Sequence, residues 1–294
     1  MSLRLTLLTT LAFAAAAAPA GAVQVGIADQ KSDMWADQRF KDLGIRYARI
    51  GVPWDVLRST EGRDALGFWL DAAKAEGAAP LVTFERSKVR PSYNPSPGEL
   101  AKQLKAIRRN WPWVNEFATW NEANLSKKPE LVAKWWLALR RACPYCRVLA
   151  ADLVDRKNAP AFTKRFAKAA KRQPGIWGLH NYADANRFTT SATKRFVKAV
   201  KGSVWLTETG GVVSRRNGSG VRFAGSGPEH AARATRFLFD RLARVSSRIK
   251  RIYIYHWNTP EGTAETWDSG LIGPDNQERP ALSVLRDLLG VSAG

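Results

Sequence analysis

The stretch 47–52 (YARIGV), then 64–76 (DALGFWLDAAKAE), Gly77 and 79–85 (APLVTFE) decides the architecture of this chain. Two short apolar runs flank a segment in which Phe68-Trp69 and Ala72-Ala73 share a helical face, and Gly77 supplies the stop. Strand, helix, strand is a βαβ unit, whose helix carries the chain back so that the two strands run parallel. The alternation extends both ways. Further strands are expected over 23–28, 116–120, 148–153, 178–182, 204–208 and 249–256, and further helices over 97–110, 130–141, 160–172, 191–200, 228–245 and 280–289.

Eight such strands suit either an open doubly wound sheet or a closed barrel. The open form places a glycine-rich loop after its first strand, whereas here Ala28-Asp29-Gln30-Lys31-Ser32 follows. The expected fold is therefore an α/β protein of the TIM-barrel type, a single (β/α)8 domain over 23–294, close to the usual barrel size of about 250 residues. Residues 1–22 stand apart as a signal peptide. Arg4 precedes an apolar run that ends in Pro19-Ala20-Gly21-Ala22, a small-x-small cleavage pattern. A secreted protein is expected, extracellular or associated with the cell wall, with no transmembrane segment in its mature form.

Export to an oxidising compartment favours a local disulfide between Cys143 and Cys146, the only two cysteines. Redox chemistry would want this pair opening a helix after a strand, whereas it closes one. The formal charge of +20 falls to +19 when Arg4 leaves with the leader. Such a field would draw in an anionic glycan, a cell-wall polymer or a membrane surface. A nucleic-acid partner is not expected, because the Lys and Arg are scattered without a reader motif. The basic loop Arg215 to Arg222 is rich in glycine but has no Lys-Ser/Thr pair to cradle phosphate.

In a barrel the chemistry gathers at the C-terminal ends of the strands. Read there, the chain offers Arg49 and Trp54, Glu85, Asn121-Glu122-Ala123-Asn124, Asp152 and Asp155, His180 to Tyr182, Glu208, and His256-Trp257-Asn258. Glu122 and Glu208 follow the fourth and seventh strands, and acetal hydrolysis needs two carboxyl groups facing each other across the bond. His180 and His256 suggest hydrogen bonds to sugar hydroxyls or to this pair. With Glu85 or Asp152 they lack a clear third ligand, so neither a metal nor a cofactor is expected. Trp54, Trp257 and Trp267 offer flat faces for sugar rings, in a chain with 12 Trp, 6 Tyr and 12 Phe.

Trp120-Asn121-Glu122-Ala123-Asn124 and Leu206-Thr207-Glu208-Thr209-Gly210 resemble the two signature segments of the (β/α)8-barrel superfamily of retaining glycoside hydrolases, clan A, with its cellulase-like and β-glycanase-like members. The resemblance covers essentially the whole mature chain and includes Trp267 to Ile272 with Arg279-Pro280-Ala281 near the end. Ala123 departs from the Pro that many members carry there. The resemblance implies Glu122 as acid/base and Glu208 as nucleophile, Asn121 on the sugar 2-hydroxyl, Tyr182 and Arg49 beside the nucleophile, and Trp257 flooring the first subsite. Glu122 would need a raised pKa to hold its proton at rest. The substrate class implied is a poly- or oligosaccharide, probed against two alternatives: a non-catalytic carbohydrate- or wall-binding protein, and a transglycosylase. The oligomeric state is left open.

Overall fold

The computed structural model describes residues 23–215, 225–260 and 267–292. The expected leader and most of the basic loop lie outside the described residues. Nine parallel strand segments form one sheet: β1 (Gln24–Ala28), β2 (Tyr47–Pro53), β3 (Ala79–Glu85), β4 (Glu116–Ala118), β5 (Arg147–Leu149), β6 (Asp152–Val154), β7 (Ile176–His180), β8 (Ser203–Thr209) and β9 (Ile249–Tyr255). Their order is β5-β4-β3-β2-β1-β9-β8-β7-β6. The two end strands, β5 and β6, are halves of one stave interrupted at Ala150-Ala151. Thr119 N donates to Leu149 O on one side of that stave, and Gly178 N to Ala151 O on the other. The sheet thus closes into an eight-stave barrel.

Helices α1 (Gln38–Asp42), α2 (Thr60–Ala75), α3 (Pro97–Asn110), α4 (Ala123–Ser126), α5 (Pro129–Ala142), α6 (Ala159–Ala170), α7 (Tyr182–Arg187), α8 (Ser191–Ala199), α9 (Pro228–Phe237) and α10 (Pro280–Leu289) accompany the strands. Ser96 caps α3 by accepting from Glu99 N while Glu99 accepts from Ser96 N, a reciprocal capping box. In α2 the buried stripe is Leu66, Trp69, Leu70 and Ala73. Phe68, expected on that stripe, is instead 66% exposed, one helical step off the buried arc. Cys143 and Cys146 are disulfide-bonded at the end of α5. No helix among the described residues is long and apolar enough to cross a membrane.

Alternation along each strand sorts the side chains. On β2, Ala48, Ile50 and Val52 join the core between barrel and helices, leaving Tyr47, Arg49 and Gly51 to the interior. On β9, Ile252 and Ile254 face the helices, and Arg251, Tyr253 and Tyr255 take the opposite face. The lower interior holds Arg251, ion-paired to Glu116 and sandwiched between the Tyr47 and Trp205 rings at 3.8 and 3.9 Å. This floor is filled by paired charge and aromatics. The chemistry is left to the opposite end.

Candidate active site

Glu122 stands at the turn from the fourth stave into α4, with φ 46° and ψ 42°. The left-handed region costs a non-glycine residue roughly 1–2 kcal/mol, so its neighbours must hold it there. Asn121 N donates to Phe84 O at 2.7 Å on one side. On the other, Asn124 clamps the end of β6, accepting from Val154 N at 2.8 Å and donating to Val154 O at 2.9 Å. Asn158 Nδ2 then donates to Asn124 O at 2.9 Å. Asn124 was visible in the motif, but its anchoring role needs β6 beside it.

Glu208 projects from β8, where the register with both neighbours shifts. Its Oε1 accepts from the Tyr182 hydroxyl at 3.2 Å and its Oε2 from Arg49 Nη1 at 3.0 Å. Arg49 is fully buried and divides its guanidinium, with Nη2 donating to Asp152 Oδ2 at 2.9 Å and to Asn121 Oδ1 at 2.8 Å. Asp152 fits because residue 178 is glycine. A Cβ there would lie 1.9 Å from Asp152 Oδ1.

His180, at the end of β7 and fully buried, joins the two glutamates. Its Nδ1 is 3.2 Å from Glu122 Oε1 and 3.8 Å from Glu208 Oε2. The separation of those oxygens therefore cannot exceed the sum of the two distances, the short end of the roughly 6.5–9.5 Å that an inverting pair needs. Nε2 lies near Asp152 Oδ2 at 3.8 Å. Burial works against a charge on this imidazole, but Glu208, Asp152 and Glu122 outweigh it and push its pKa up to about 9. The same contacts act back on the acids. Burial alone would raise Asp152, yet Arg49 and His180 bring it down to about 2. Burial would also raise Glu122, but the hydrogen bond and charge of His180 leave it below its ordinary value. That direction is opposite to the raised Glu122 expected from the sequence, and the raised member of the pair is His180.

These groups open onto a cleft of about 850 Å³ bounded by Glu122, Glu208, Tyr182, Tyr255 and Trp267. Trp267 meets the Tyr182 ring edge-on at 4.7 Å, and Arg215 stacks over it at 5.3 Å. Three expected sugar contacts sit elsewhere. Trp257 is fully buried, its Nε1 donating to Asp37 Oδ2 at 3.0 Å and its ring against Phe40. Trp54 is fully buried beneath Arg58 and beside Tyr93. His256 is buried with Nδ1 3.2 Å from Lys31 Nζ, and burial lowers its pKa. Both tryptophans are absorbed by the apolar layer behind the staves, and Tyr255 takes the inward place on the last one. Its parity with Arg251 and Tyr253 was the signal that could have found it. Glu85, pushed up in pKa by burial, lines a second cavity with Asp55 and Arg58.

A family 39 glycoside hydrolase from the gut symbiont Bacteroides cellulosilyticus WH2 superposes over 90% of this chain with a TM-score of 0.59 and 15% identity. What the two chains share is the (β/α)8-barrel fold. The chain spans 63% of that protein's length. A GH113 β-1,4-mannanase superposes over 91% of this chain and 98% of its own, with a TM-score of 0.58 and 14% identity. A thermostable mutant of a xylanase from Cellvibrio japonicus covers 91% and 97%, with a TM-score of 0.62 and 11% identity. No family model and no curated protein matches the sequence.

Proposed function

We propose that this protein is a secreted retaining glycoside hydrolase that cleaves β-linked poly- or oligosaccharide by double displacement. The observation that carries the proposal is the meeting of Glu122 and Glu208 at one His180 nitrogen, within a single cleft, with Tyr182 and Arg49 on Glu208. The bonds from Tyr182 and Arg49 fix the orientation of the nucleophilic carboxylate. Glu208 attacks the anomeric carbon while Glu122 gives a proton to the departing oxygen, leaving a glycosyl ester and a carboxylate on Glu122. That carboxylate then takes a proton from water, whose oxygen attacks the anomeric carbon and releases Glu208. The proton for the first step comes from the His180–Glu122 pair, across the 3.2 Å contact. Secretion is supported by the leader-like start of the sequence and by the Cys143–Cys146 disulfide.

The test is azide rescue of Glu208→Ala and Glu122→Ala on activated aryl glycosides, with the product anomer read by NMR. The first variant should give the inverted glycosyl azide and the second the retained one. Rescue with the opposite stereochemistry, or wild-type hydrolysis with inversion, overturns the assignment.

A further inference from the structure

We infer that the wall of the cleft beyond Glu122 is an anion-recognition surface, and that the glycan it takes carries carboxylate, sulfate or phosphate groups. The inference rests on the hydrolase proposal for its placement relative to the scissile bond. Arg156, Lys157, Arg187 and Arg195 line this wall, all on the segment running from the end of β6 through α8 and all exposed. Arg156, Lys157 and Arg195 form no ion pair among the described residues.

The acids of the same wall are turned inward. Asp184 is 2% exposed and spends its oxygens on the start of α8, accepting from Thr193 N at 2.6 Å, Thr189 Oγ1 at 2.6 Å and Ala192 N at 3.3 Å. Asp155 is buried beside it and accepts from Asp184 N at 3.1 Å. Burial raises the Asp155 pKa to about 7, which mutes its charge further. What solvent meets on this wall is therefore cationic, although carboxylates lie beneath. Arg156 is close enough to Glu122 to contribute to the lowering of its pKa. A negative group on a sugar bound beyond Glu122, the side on which the leaving group stands, would meet two or three unpaired cations in a concave setting. Guanidinium groups suit the planar or tetrahedral oxygens of such substituents through paired hydrogen bonds.

The experiment compares binding of matched polymers to the full chain carrying Glu208→Gln, which blocks turnover, by affinity electrophoresis at low salt. The probes are polygalacturonate against its methyl ester, dextran sulfate against dextran, and a phosphorylated mannan against its dephosphorylated form. At least one charged member should bind about tenfold more tightly than its neutral twin, the scale set by a few partly exposed ion pairs, and salt should erase the difference. The variant Arg156→Ala/Lys157→Ala/Arg195→Ala should lose it. The variant Lys164→Ala/Lys168→Ala/Lys198→Ala, of equal charge change on the outer faces of α6 and α8, should keep it. Equal loss in both variants, or no charged polymer exceeding its twin, overturns the inference. The two proposals fail separately. Hydrolysis of neutral glycans with no charge preference removes only this one, and selective binding through the three cations without hydrolysis by the wild type removes only the enzyme.

Discussion

Replacing His180 with Gln should flatten the alkaline side of the stability profile. In the fold this buried imidazole keeps its proton to about pH 9, against 6.5 for an ordinary histidine. The folded state binds that proton more tightly than the unfolded chain does. Its stabilisation is therefore fully present below pH 6.5 and is lost as pH rises through 9. At about 1.4 kcal/mol per pH unit, the interval amounts to about 3 kcal/mol. For a domain of this size, each kcal/mol moves the thermal midpoint by about 2–4 °C. Between pH 6.5 and 9.5 the wild type should therefore lose roughly 6–12 °C more than His180→Gln in scanning calorimetry. Asp155, raised to about 7, titrates in both proteins and cancels in the difference. Equal losses in the two proteins would refute the protonated imidazole and, with it, the cause assigned to the lowered Glu122.

The same substitution should move the alkaline limb of kcat/KM. In the wild type the productive proton leaves with His180 near pH 9, whereas in His180→Gln it leaves with Glu122 itself, so the limb should fall into the carboxylate range; an unmoved limb would contradict the shared proton. Arg49→Met strands the fully buried Asp152 and should cost about 3–5 kcal/mol by urea unfolding. Arg49→Lys should recover only part of this, because one ammonium cannot reproduce the divided contacts to Asp152 and Glu208. Trp257→Phe should cost about 0.5–1.5 kcal/mol through its lost bond to Asp37 without changing KM, while Tyr255→Ala should raise KM; the reverse pattern would return Trp257 to the cleft.

The barrel was legible because its signals are local. Short apolar runs, helical stripes and Gly77 as a stop are written within a few residues of one another. The positions of Glu122 and Glu208 after the fourth and seventh staves were legible for the same reason, since counting staves needs no coordinates. The interrupted fifth stave and the turn of Tyr182 out of β7 into α7 were not. They depend on which neighbours offer hydrogen bonds once the sheet has closed.

What the sequence by itself determined is the alternation of strand and helix, the preference for a barrel over an open sheet through the lack of a glycine-rich loop after the first strand, and the rim on which polar residues gather. Tertiary structure alone decided which of those residues touch. Arg49 and Glu208 are 159 residues apart, and only closure brings a guanidinium between Glu208 and Asp152. Closure also decided the charge states. Against the cost of burial, Glu208, Asp152 and Glu122 push the His180 pKa up, and His180 and Arg49 hold Glu122 down. Closure sent Tyr255 into the cleft and Trp257, which shares its parity, into the apolar layer, because β9 ends at Tyr255 and strand alternation does not govern the residue beyond it. Secondary structure follows from covalent neighbours, whereas burial, pairing and protonation follow from neighbours in space.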